Sequence, residues 1–422
     1  MSSALASVFS PTFNSLASAR PPHPLCRAIV IVPARNEEVG LCSALDALRR
    51  QEDESGCPLS TDGYEVLLLL NNCDDRSAKV ARQYQLRYPD FPMHVEECLL
   101  APDIAHVGTA RRMLMDLACT RLEKSRGNLP SRQSVILSTD ADTVVANDWI
   151  VQNLAAIDAG ADAVGGVIQL FAEDLAELDE GTRRAYHLDR ELQGLVARLE
   201  SLLDPDEADP WPRHLEHFGA SLACTCAAYR RCGGLPPVKP LEDVAFVAAL
   251  RSAGARIRHA PKVCIHTSAR LDGRAEIGLA GQLRHWRRET SAGLPHLVDS
   301  AEWLAFRFAT LARLRMQNAR TEAADAGMFP EPARALVNRL LRLRLSTHEF
   351  LDRLDADALL EEMFRLQAAA PRYEEITEVI HKLKTTIRSL TAPERLDDAC
   401  APSRRCETAL SARGGPASTP AG

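Results

Sequence analysis

Two aspartates, Asp140 and Asp142, stand one residue apart directly after the apolar segment Ser134–Thr139. This segment predicts a buried strand, and side chains two residues apart in a strand point to the same side. We therefore expect the two carboxylates to converge on one divalent cation, Mn²⁺ or Mg²⁺, which completes its coordination with phosphate oxygens and water. The alternative is a strand end followed by a helix N-cap, which also favours Asp.

Three more residues are candidates for the same site. His266 follows a predicted strand from Arg256 to Ile265, and an imidazole beside two carboxylates would favour Mn²⁺ as a third ligand. A structural histidine with satisfied hydrogen bonds is the alternative. Glu242 and Asp243 begin a predicted helix, where acids complement the helix dipole, and either could instead accept a proton from a hydroxyl group.

Alternating apolar runs and amphipathic segments from Arg27 to about Thr267 predict repeated βαβ units. The predicted fold class is α/β, with a mostly parallel, Rossmann-like sheet flanked by helices and a C-terminal helical region. Ligands bind at the carboxyl edge of such sheets. The predicted organisation is a flexible arm over 1–25, a catalytic domain over 26–292, a helical accessory region over 293–390 and a disordered tail over 391–422.

Composition excludes several classes of function. A net charge of −7 argues against a nucleic-acid partner, and no apolar run approaches the ~20 residues that a transmembrane helix needs. Twelve cysteines without regular spacing indicate reduced thiols and a cytoplasmic protein. His217 with Cys224, Cys226 and Cys232 lacks the spacing of a zinc site.

Four segments in this order resemble the family 2 glycosyltransferases of GT-A fold. They are Pro33-Ala34-Arg35-Asn36-Glu37-Glu38 after the first strand, Asp140-Ala141-Asp142, Glu242-Asp243 after Gly233-Gly234, and the strand-end His266. The resemblance covers roughly residues 27–290. It implies a hexosyltransferase-type enzyme that moves a sugar from a nucleoside-diphosphate donor to an acceptor hydroxyl with inversion, a metal at Asp140 and Asp142, and Asp243 as the base.

The resemblance also implies a set of donor-binding residues. Glu37 would contact the nucleobase and ribose, Asp75 matches a recurrent aspartate, and Arg111 could pair with a phosphate, a solvated helix arginine being the alternative. Asn71 and Asn72 stand where acids are more usual. Because an amide group both donates and accepts hydrogen bonds, the identity of the donor's nucleobase stays open. The full set is Pro33, Ala34, Arg35, Glu37, Asn71, Asn72, Asp75, Arg111 and Asp140.

The segment Gln282-Leu283-Arg284-His285-Trp286-Arg287-Arg288 resembles the Gln-x-x-Arg-Trp motif of processive members, with His285 in place of the arginine. The mismatch favours a non-processive enzyme. Trp286 could stack on an acceptor sugar, and a basic solvated helix face is the alternative. The sequence leaves the acceptor open as a small molecule, a glycan or a lipid-linked compound, and it leaves a homodimer through the C-terminal helices possible.

Two other functions fit parts of the pattern. A nucleotidyltransferase would also use aspartates and Mg²⁺, but we would expect a Gly-rich phosphate loop where this chain has PARNEE. A catalytically silent relative would bind a partner through the helical C-terminal half. Metal-dependent binding of a nucleoside diphosphate separates an enzyme from a silent relative.

Overall fold

The structure is a computed structural model that describes residues 20–125, 134–271, 278–320, 337, 356–367 and 370–392. The predicted arm lies outside the described residues up to residue 19, and the predicted tail lies outside them from residue 393. The predicted helical region 293–390 is described in part.

Eight strands form one central sheet. They are β1 (Ala28–Ala34), β2 (Tyr64–Asn71), β3 (Met93–Cys98), β4 (Val135–Ser138), β5 (Thr143–Val145), β6 (Ala163–Leu170), β7 (Leu222–Thr225) and β8 (Ile257–Thr267). Their order across the sheet is β3-β2-β1-β4-β7-β6-β8-β5. Every residue of β1 and β2 is buried, which explains why these strands read as continuous apolar runs without polar alternation.

The sheet is mixed in direction. β1 pairs in parallel with β2 and β4, β2 with β3, and β6 with β8. β7 runs antiparallel to β4 and β6, and β5 runs antiparallel to β8. Four of the seven pairings are therefore parallel, and the short strands β5 and β7 account for the antiparallel ones.

β8 bends partway along its length. Gly166 of β6 pairs with Ala260, whereas the next residue, Val167, pairs with Cys264. The extra residues on β8 form a bulge, which bends a strand and increases its twist. Past this bend the end of β8 pairs with β5, so the short connection from β4 to β5, which carries Asp140 and Asp142, joins the middle of the sheet to its edge.

Helices cover both faces of the sheet. The helices in this part of the chain are α1 (Leu41–Arg49), α2 (Ser77–Arg87), α3 (Val107–Ser125), α4 (Trp149–Asp158), α5 (Ala172–Glu177), α6 (Glu180–Leu203), α7 (Cys226–Arg231), α8 (Glu242–Ser252) and α9 (Leu279–Ser291). One apolar core lies between the sheet and α1, α2 and α4, and a second lies between the opposite face and α3, α7 and α8. The predicted fold class, an α/β sheet flanked by helices with a C-terminal helical region, is confirmed.

The C-terminal region packs on α6. It contains α10 (Ala301–Arg320), α11 (Ala356–Gln367), α12 (Ile376–Thr391) and an antiparallel pair of short strands, β9 (Leu297–Asp299) and β10 (Tyr373–Glu375). Leu192 and Leu199 of α6 share an apolar cluster with Trp303, Phe364 and Leu383. None of the described helices is both long enough and apolar enough to cross a membrane.

Candidate functional site

Asp140 and Asp142 lie in a turn and not in a strand. β4 ends at Ser138, and the Thr143 amide donates to the Asp140 carbonyl oxygen at 3.2 Å, which closes a four-residue turn. The expectation that the two carboxylates share one side of a strand is therefore wrong. Each carboxylate instead contacts a different arginine, and these two ion pairs organise the site.

The first arginine, Arg111 on α3, is buried with 3% of its side chain exposed. Its Nη2 donates to Asp140 Oδ1 at 2.6 Å, and its Nη1 donates to Glu242 Oε1 on α8. The sequence suggested a phosphate as the partner of Arg111, whereas the structure pairs it with two carboxylates. We call Arg111, Asp140 and Glu242 the buried centre.

The buried centre has two carboxylates for one guanidinium. Burial is the main cause that raises the pKa of Asp140 and of Glu242 above the ordinary values. Arg111 opposes the rise in both cases, and the nearby Asp243 carboxylate adds to it. The centre therefore holds excess negative charge close to Asp243.

Asp243 is the more accessible of the two predicted catalytic acids. It is half-buried, and both of its oxygens accept hydrogen bonds from backbone amides, Oδ2 from Gly219 and Oδ1 from Val244, each at 2.8 Å. Glu242 is buried against Arg111. Leu241, the residue before the pair, has φ 66°, a left-handed conformation that a non-glycine residue adopts at an energetic cost.

Gly219 links separate parts of the site through its backbone, and it was not among the residues predicted from the sequence. Its amide holds Asp243, and its carbonyl oxygen accepts from the buried Ser138 hydroxyl at 2.8 Å. A Cβ at this position would stand 2.3 Å from Arg111 Nη1. Glycine is therefore required by the close approach of the guanidinium, a long-range contact that leaves no signal in the local sequence.

The second arginine, Arg270, follows β8 and has 40% of its side chain exposed. Its two Nη atoms donate to the two Glu37 carboxylate oxygens at 3.1 and 3.0 Å, and Nη2 also donates to Asp142 Oδ2 at 2.6 Å. We call Arg270, Glu37 and Asp142 the exposed centre. It joins a predicted donor-binding residue to a predicted metal ligand, and sequence reasoning missed Arg270.

The first predicted donor-binding segment follows β1. Pro33 and Ala34 are the last residues of that strand and are buried, and Glu37 is also buried. Arg35 is exposed, and its Nη1 donates to the Ala105 carbonyl oxygen at 3.3 Å. Within this segment, Glu37 is linked through Arg270 to Asp142 in the turn after β4.

The segment after β2 is held by its own side chains. Asn71 is the last residue of β2 and is buried. Asn72 has φ 50°, and its amide group both donates to the Leu100 carbonyl oxygen, at 2.9 Å, and accepts from the Leu100 amide, at 3.1 Å. The Asn72 amide thus acts as a local brace between β2 and the chain after β3.

Asp75 fixes the start of α2 against the Glu37 segment. Its Oδ1 accepts from the Ser77 amide at 2.9 Å and its Oδ2 accepts from the Glu38 amide at 3.1 Å. Burial alone would raise the pKa of Asp75, but the hydrogen bonds from Ser77 and Glu38 outweigh it and lower the pKa. The Glu37 amide in turn donates to the Ser77 hydroxyl at 2.8 Å, so this aspartate positions Glu37 indirectly.

The carboxylate oxygens of the turn supply some of the ligands that a hard cation needs. One oxygen of each aspartate, Asp140 Oδ2 and Asp142 Oδ1, has no hydrogen-bond partner among the described residues. Two carboxylate oxygens fit an ion that takes its other ligands from phosphate and water. Within the described part of the chain, however, no three His, Cys, Asp or Glu residues form a group that could hold a metal.

His266 does not join the two aspartates as a third ligand. It lies inside β8, opposite Val144 of β5, and not beyond the strand as the sequence predicted. Its ring stacks on Phe171, with 6.2 Å between centroids and 22° between planes. The structure thus favours the alternative, a histidine with a packing role.

Trp286 is part of a packed core and cannot stack on an acceptor sugar as the sequence suggested. It is 2% exposed on α9 and contacts Tyr186 of α6 with 6.4 Å between ring centroids. Leu283, one turn earlier, is also buried in this cluster. The apolar residues of the Gln282–Arg288 segment therefore attach α9 to α6.

No protein-family model matches the chain, and no curated protein sequence matches it. The mannosyltransferase PcManGT from Pyrobaculum calidifontis, solved with GDP-Man and Mn²⁺, is 16% identical, with 90% of this chain and 86% of that chain covered and a TM-score of 0.41. TarS 1-349 from S. aureus is 15% identical, with 82% and 93% covered and a TM-score of 0.38. Glucosyl-3-phosphoglycerate synthase from Mycobacterium tuberculosis, solved with Mn²⁺, UDP-Glc and phosphoglyceric acid, is 15% identical, with 64% and 81% covered and a TM-score of 0.33. At these values the activity of this chain has to be inferred from its own residues.

Proposed function

We propose that this protein is a metal-dependent glycosyltransferase of GT-A type, which transfers a hexosyl group from a nucleoside-diphosphate donor to an acceptor hydroxyl. The observation that carries the proposal is the meeting of four acids from three segments, Glu37, Asp140 with Asp142, and Asp243, at one edge of the sheet. The carboxyl edge of an α/β sheet is where such folds bind nucleotides. A structural protein would have no need for this concentration of partly buried negative charge.

Asp243 is the proposed base. The Gly219 and Val244 amides fix its carboxylate by one hydrogen bond to each oxygen, which leaves further lone pairs for an acceptor hydroxyl. As the hydroxyl oxygen attacks the anomeric carbon, its proton passes to Asp243, and the bond between the sugar and the diphosphate breaks. Direct displacement of this kind inverts the anomeric centre.

Asp140 and Asp142 are the proposed metal ligands, with Mn²⁺ or Mg²⁺ as the ion. A cation bound there would neutralise the negative charge that develops on the departing diphosphate. Arg111 holds Asp140 in place and opposes the rise of its pKa, and Arg270 is close enough to bind a phosphate oxygen if it leaves Asp142. Glu37 would then accept hydrogen bonds from the ribose hydroxyls.

Three finer features are part of the proposal. The absence of the full Gln-x-x-Arg-Trp segment supports a non-processive enzyme. The ten cysteines in the described part of the chain are all free, which supports a cytoplasmic location. The apolar C-terminal helices leave a homodimer possible, which measurement of the mass in solution would decide.

The test is metal-dependent binding and turnover of nucleotide sugars. We expect one member of a panel of UDP- and GDP-sugars to raise the melting temperature in the presence of Mn²⁺ and not in EDTA, and to be hydrolysed slowly without an acceptor. Asp142→Ala should abolish the metal-dependent shift. Asp90→Ala is the matched control, because Asp90 is exposed before β3, at the amino edge of the sheet.

A second variant tests the base separately. Asp243→Asn should bind the donor with a dissociation constant within about twofold of the original protein and lose about 10²- to 10⁴-fold in kcat, because the amide cannot take the proton. Asp90→Asn should change neither value. Full turnover by Asp243→Asn would exclude Asp243 as the base, and a panel with no metal-dependent binding would overturn the proposed function.

A further inference from the structure

A buried chain of hydrogen bonds leads from the interior of the protein towards the proposed base. Asp209, which is 3% exposed, accepts from His259 Nδ1 at 2.7 Å and from the His259 amide at 2.9 Å. His259 Nε2 lies 3.1 Å from Nδ1 of His217. His217 is two residues before Gly219, whose amide holds Asp243. None of the three side chains has a role in the sugar transfer described above.

Hydrogen-bond geometry fixes the role of one ring nitrogen of His259. A carboxylate only accepts hydrogen bonds, so His259 Nδ1 donates to Asp209. Asp209 also pairs with Arg258 at 2.8 Å and with Arg213 at 3.3 Å, and Glu200 pairs with Arg213 at 2.7 Å. The Asp209 carboxylate is therefore held in place from several sides.

The second ring nitrogen of His259 meets His217. His259 Nε2 and His217 Nδ1 lie 3.1 Å apart, so one of these two nitrogens donates a hydrogen bond to the other. Burial is the main cause that lowers the pKa of His217 to about 4, whereas Asp243 acts in the opposite direction. His217 is therefore neutral near pH 7.

Several contacts attach the segment that carries His217 to the sheet, and two of them lie just before Gly219. Its backbone lies directly on β6, because a Cβ on Gly165 would stand 2.4 Å from the Glu216 carbonyl oxygen and 3.2 Å from His217 Cα. Its imidazole is attached to β8 through His259. Both attachments precede Gly219 by a few residues, so they set the position of the amide that holds Asp243.

We propose that Asp209, His259 and His217 form a positioning chain, a series of hydrogen bonds that fixes the His217–Gly219 segment and, through the Gly219 amide, the Asp243 carboxylate. The inference rests on the proposed role of Asp243 in sugar transfer. The three residues act through Gly219 and are positioning residues, not catalytic ones. A displaced Asp243 would still allow the donor to bind but would meet the acceptor hydroxyl in poor geometry.

Two substitutions of His217 in the full chain separate the hydrogen bond from the ring. His217→Phe keeps an aromatic ring and removes the hydrogen bond to His259, whereas His217→Asn places an amide group, which can donate or accept, near the position of Nδ1. We expect His217→Phe to speed hydrogen exchange at the Gly219 amide about fivefold or more and to lower kcat about 10- to 100-fold, with the donor KM within twofold. His217→Asn should restore slow exchange and most of kcat. His259→Asn, which keeps a donor for Asp209 and removes the ring nitrogen that faces His217, should resemble His217→Phe and replaces it if that variant does not fold.

Each other outcome has a definite meaning. Unchanged Gly219 exchange in both His217→Phe and His259→Asn would show that the chain does not position the segment. Restored exchange without restored kcat in His217→Asn would mean that His217 takes part in the reaction itself, which overturns the positioning role. If the original protein transfers no sugar at all, the proposed function fails, and Gly219 exchange in the variants still decides whether the positioning chain holds the loop.

Discussion

The two arginines at the edge of the sheet bind similar partners in different surroundings. Arg111 lies between Asp140 and Glu242 with 3% of its side chain exposed, and Arg270 lies between Glu37 and Asp142 with 40% exposed. Removing one partner from a buried ion pair leaves an uncompensated charge, whereas water replaces a lost partner at the surface. The buried centre is therefore a fixed support, and the exposed centre can exchange its partner for a ligand.

The two aspartates in the turn between β4 and β5 are therefore held in different ways. Asp140 is held by the buried Arg111, so its position is set before any ligand binds. Asp142, two residues later, is held by an arginine that reaches solvent. A site built in this way has one preorganised carboxylate and one that becomes available on binding, and the predictions that follow test this division.

The largest expected effect is the loss of Arg111. Arg111→Met keeps most of the side-chain volume and leaves the buried Glu242 and the half-buried Asp140 without a counter-charge, so we expect the free energy of unfolding to fall by about 3 to 5 kcal/mol. Denaturant unfolding measures this. Adding Glu242→Gln to Arg111→Met should recover part of the lost stability, because one of the two carboxylates without a counter-charge is replaced by a neutral amide. Equal costs for Arg111→Met and Arg270→Met would contradict the division into a fixed and an exchangeable centre.

The next effect comes from a single methyl group beside the buried centre. Gly219→Ala would place Cβ 2.3 Å from Arg111 Nη1, and since two ion pairs hold the guanidinium, we expect about 1 to 3 kcal/mol of destabilisation. Gly194→Ala is the matched control. Gly194 lies in α6 with no atom within 4 Å of an added Cβ, so alanine there should stabilise by about 0.5 to 1 kcal/mol. If Gly219→Ala leaves the free energy of unfolding unchanged, the Arg111 guanidinium is able to move away from the added methyl group.

The charge excess of the buried centre predicts a pH dependence of smaller size. Burial raises the pKa of Glu242 in the folded state, so above its unfolded value the unfolded chain loses this proton first. Ionisation then favours the unfolded chain, and the contribution of Glu242 to stability falls as pH rises until the folded pKa is passed. We expect Glu242→Gln to remove a slope of up to about 1.4 kcal/mol per pH unit in this window. Unfolding curves measured from pH 4.5 upwards check the sign, and a steeper fall in the variant would refute it.

Sequence alone predicted the long elements and the acids of the site. α2, Ser77–Arg87, is one of the amphipathic segments that indicated βαβ units, because its apolar residues recur with a helical period. The strands β5, β9 and β10 were missed, since three residues are too few to establish an alternation. The direction of β7 could not be read either, because an apolar run is the same in a parallel and an antiparallel strand.

The arrangement of the site depends on contacts that sequence does not encode locally. Asp140, Asp142 and Asp243 were identified from their neighbours in the chain. Arg270, in contrast, contacts Glu37, which lies 233 residues earlier in the chain. The sequence near either residue gives no sign of this contact. Gly219 was missed for the same reason, because its close contact with Arg111 depends on how β7 and α3 pack. Residue types could be predicted, but the partner of each charge required the fold.

The smallest effect on stability and the sharpest effect on binding are expected at Arg270. Arg270→Gln should change the free energy of unfolding by about 1 kcal/mol, because water can replace the guanidinium at Asp142 and the glutamine amide keeps a donor for the buried Glu37. It should also lower the Mn²⁺ concentration needed for nucleotide binding, since the cation no longer competes with the guanidinium for Asp142. Titration of Mn²⁺ at fixed UDP or GDP measures this, with Arg365→Gln as the control, because Arg365 is an exposed arginine of α11 that pairs with Glu362 outside the candidate site. A higher Mn²⁺ requirement in Arg270→Gln would mean that this arginine mainly binds the diphosphate, and that its release from Asp142 is part of binding and not an obstacle to it.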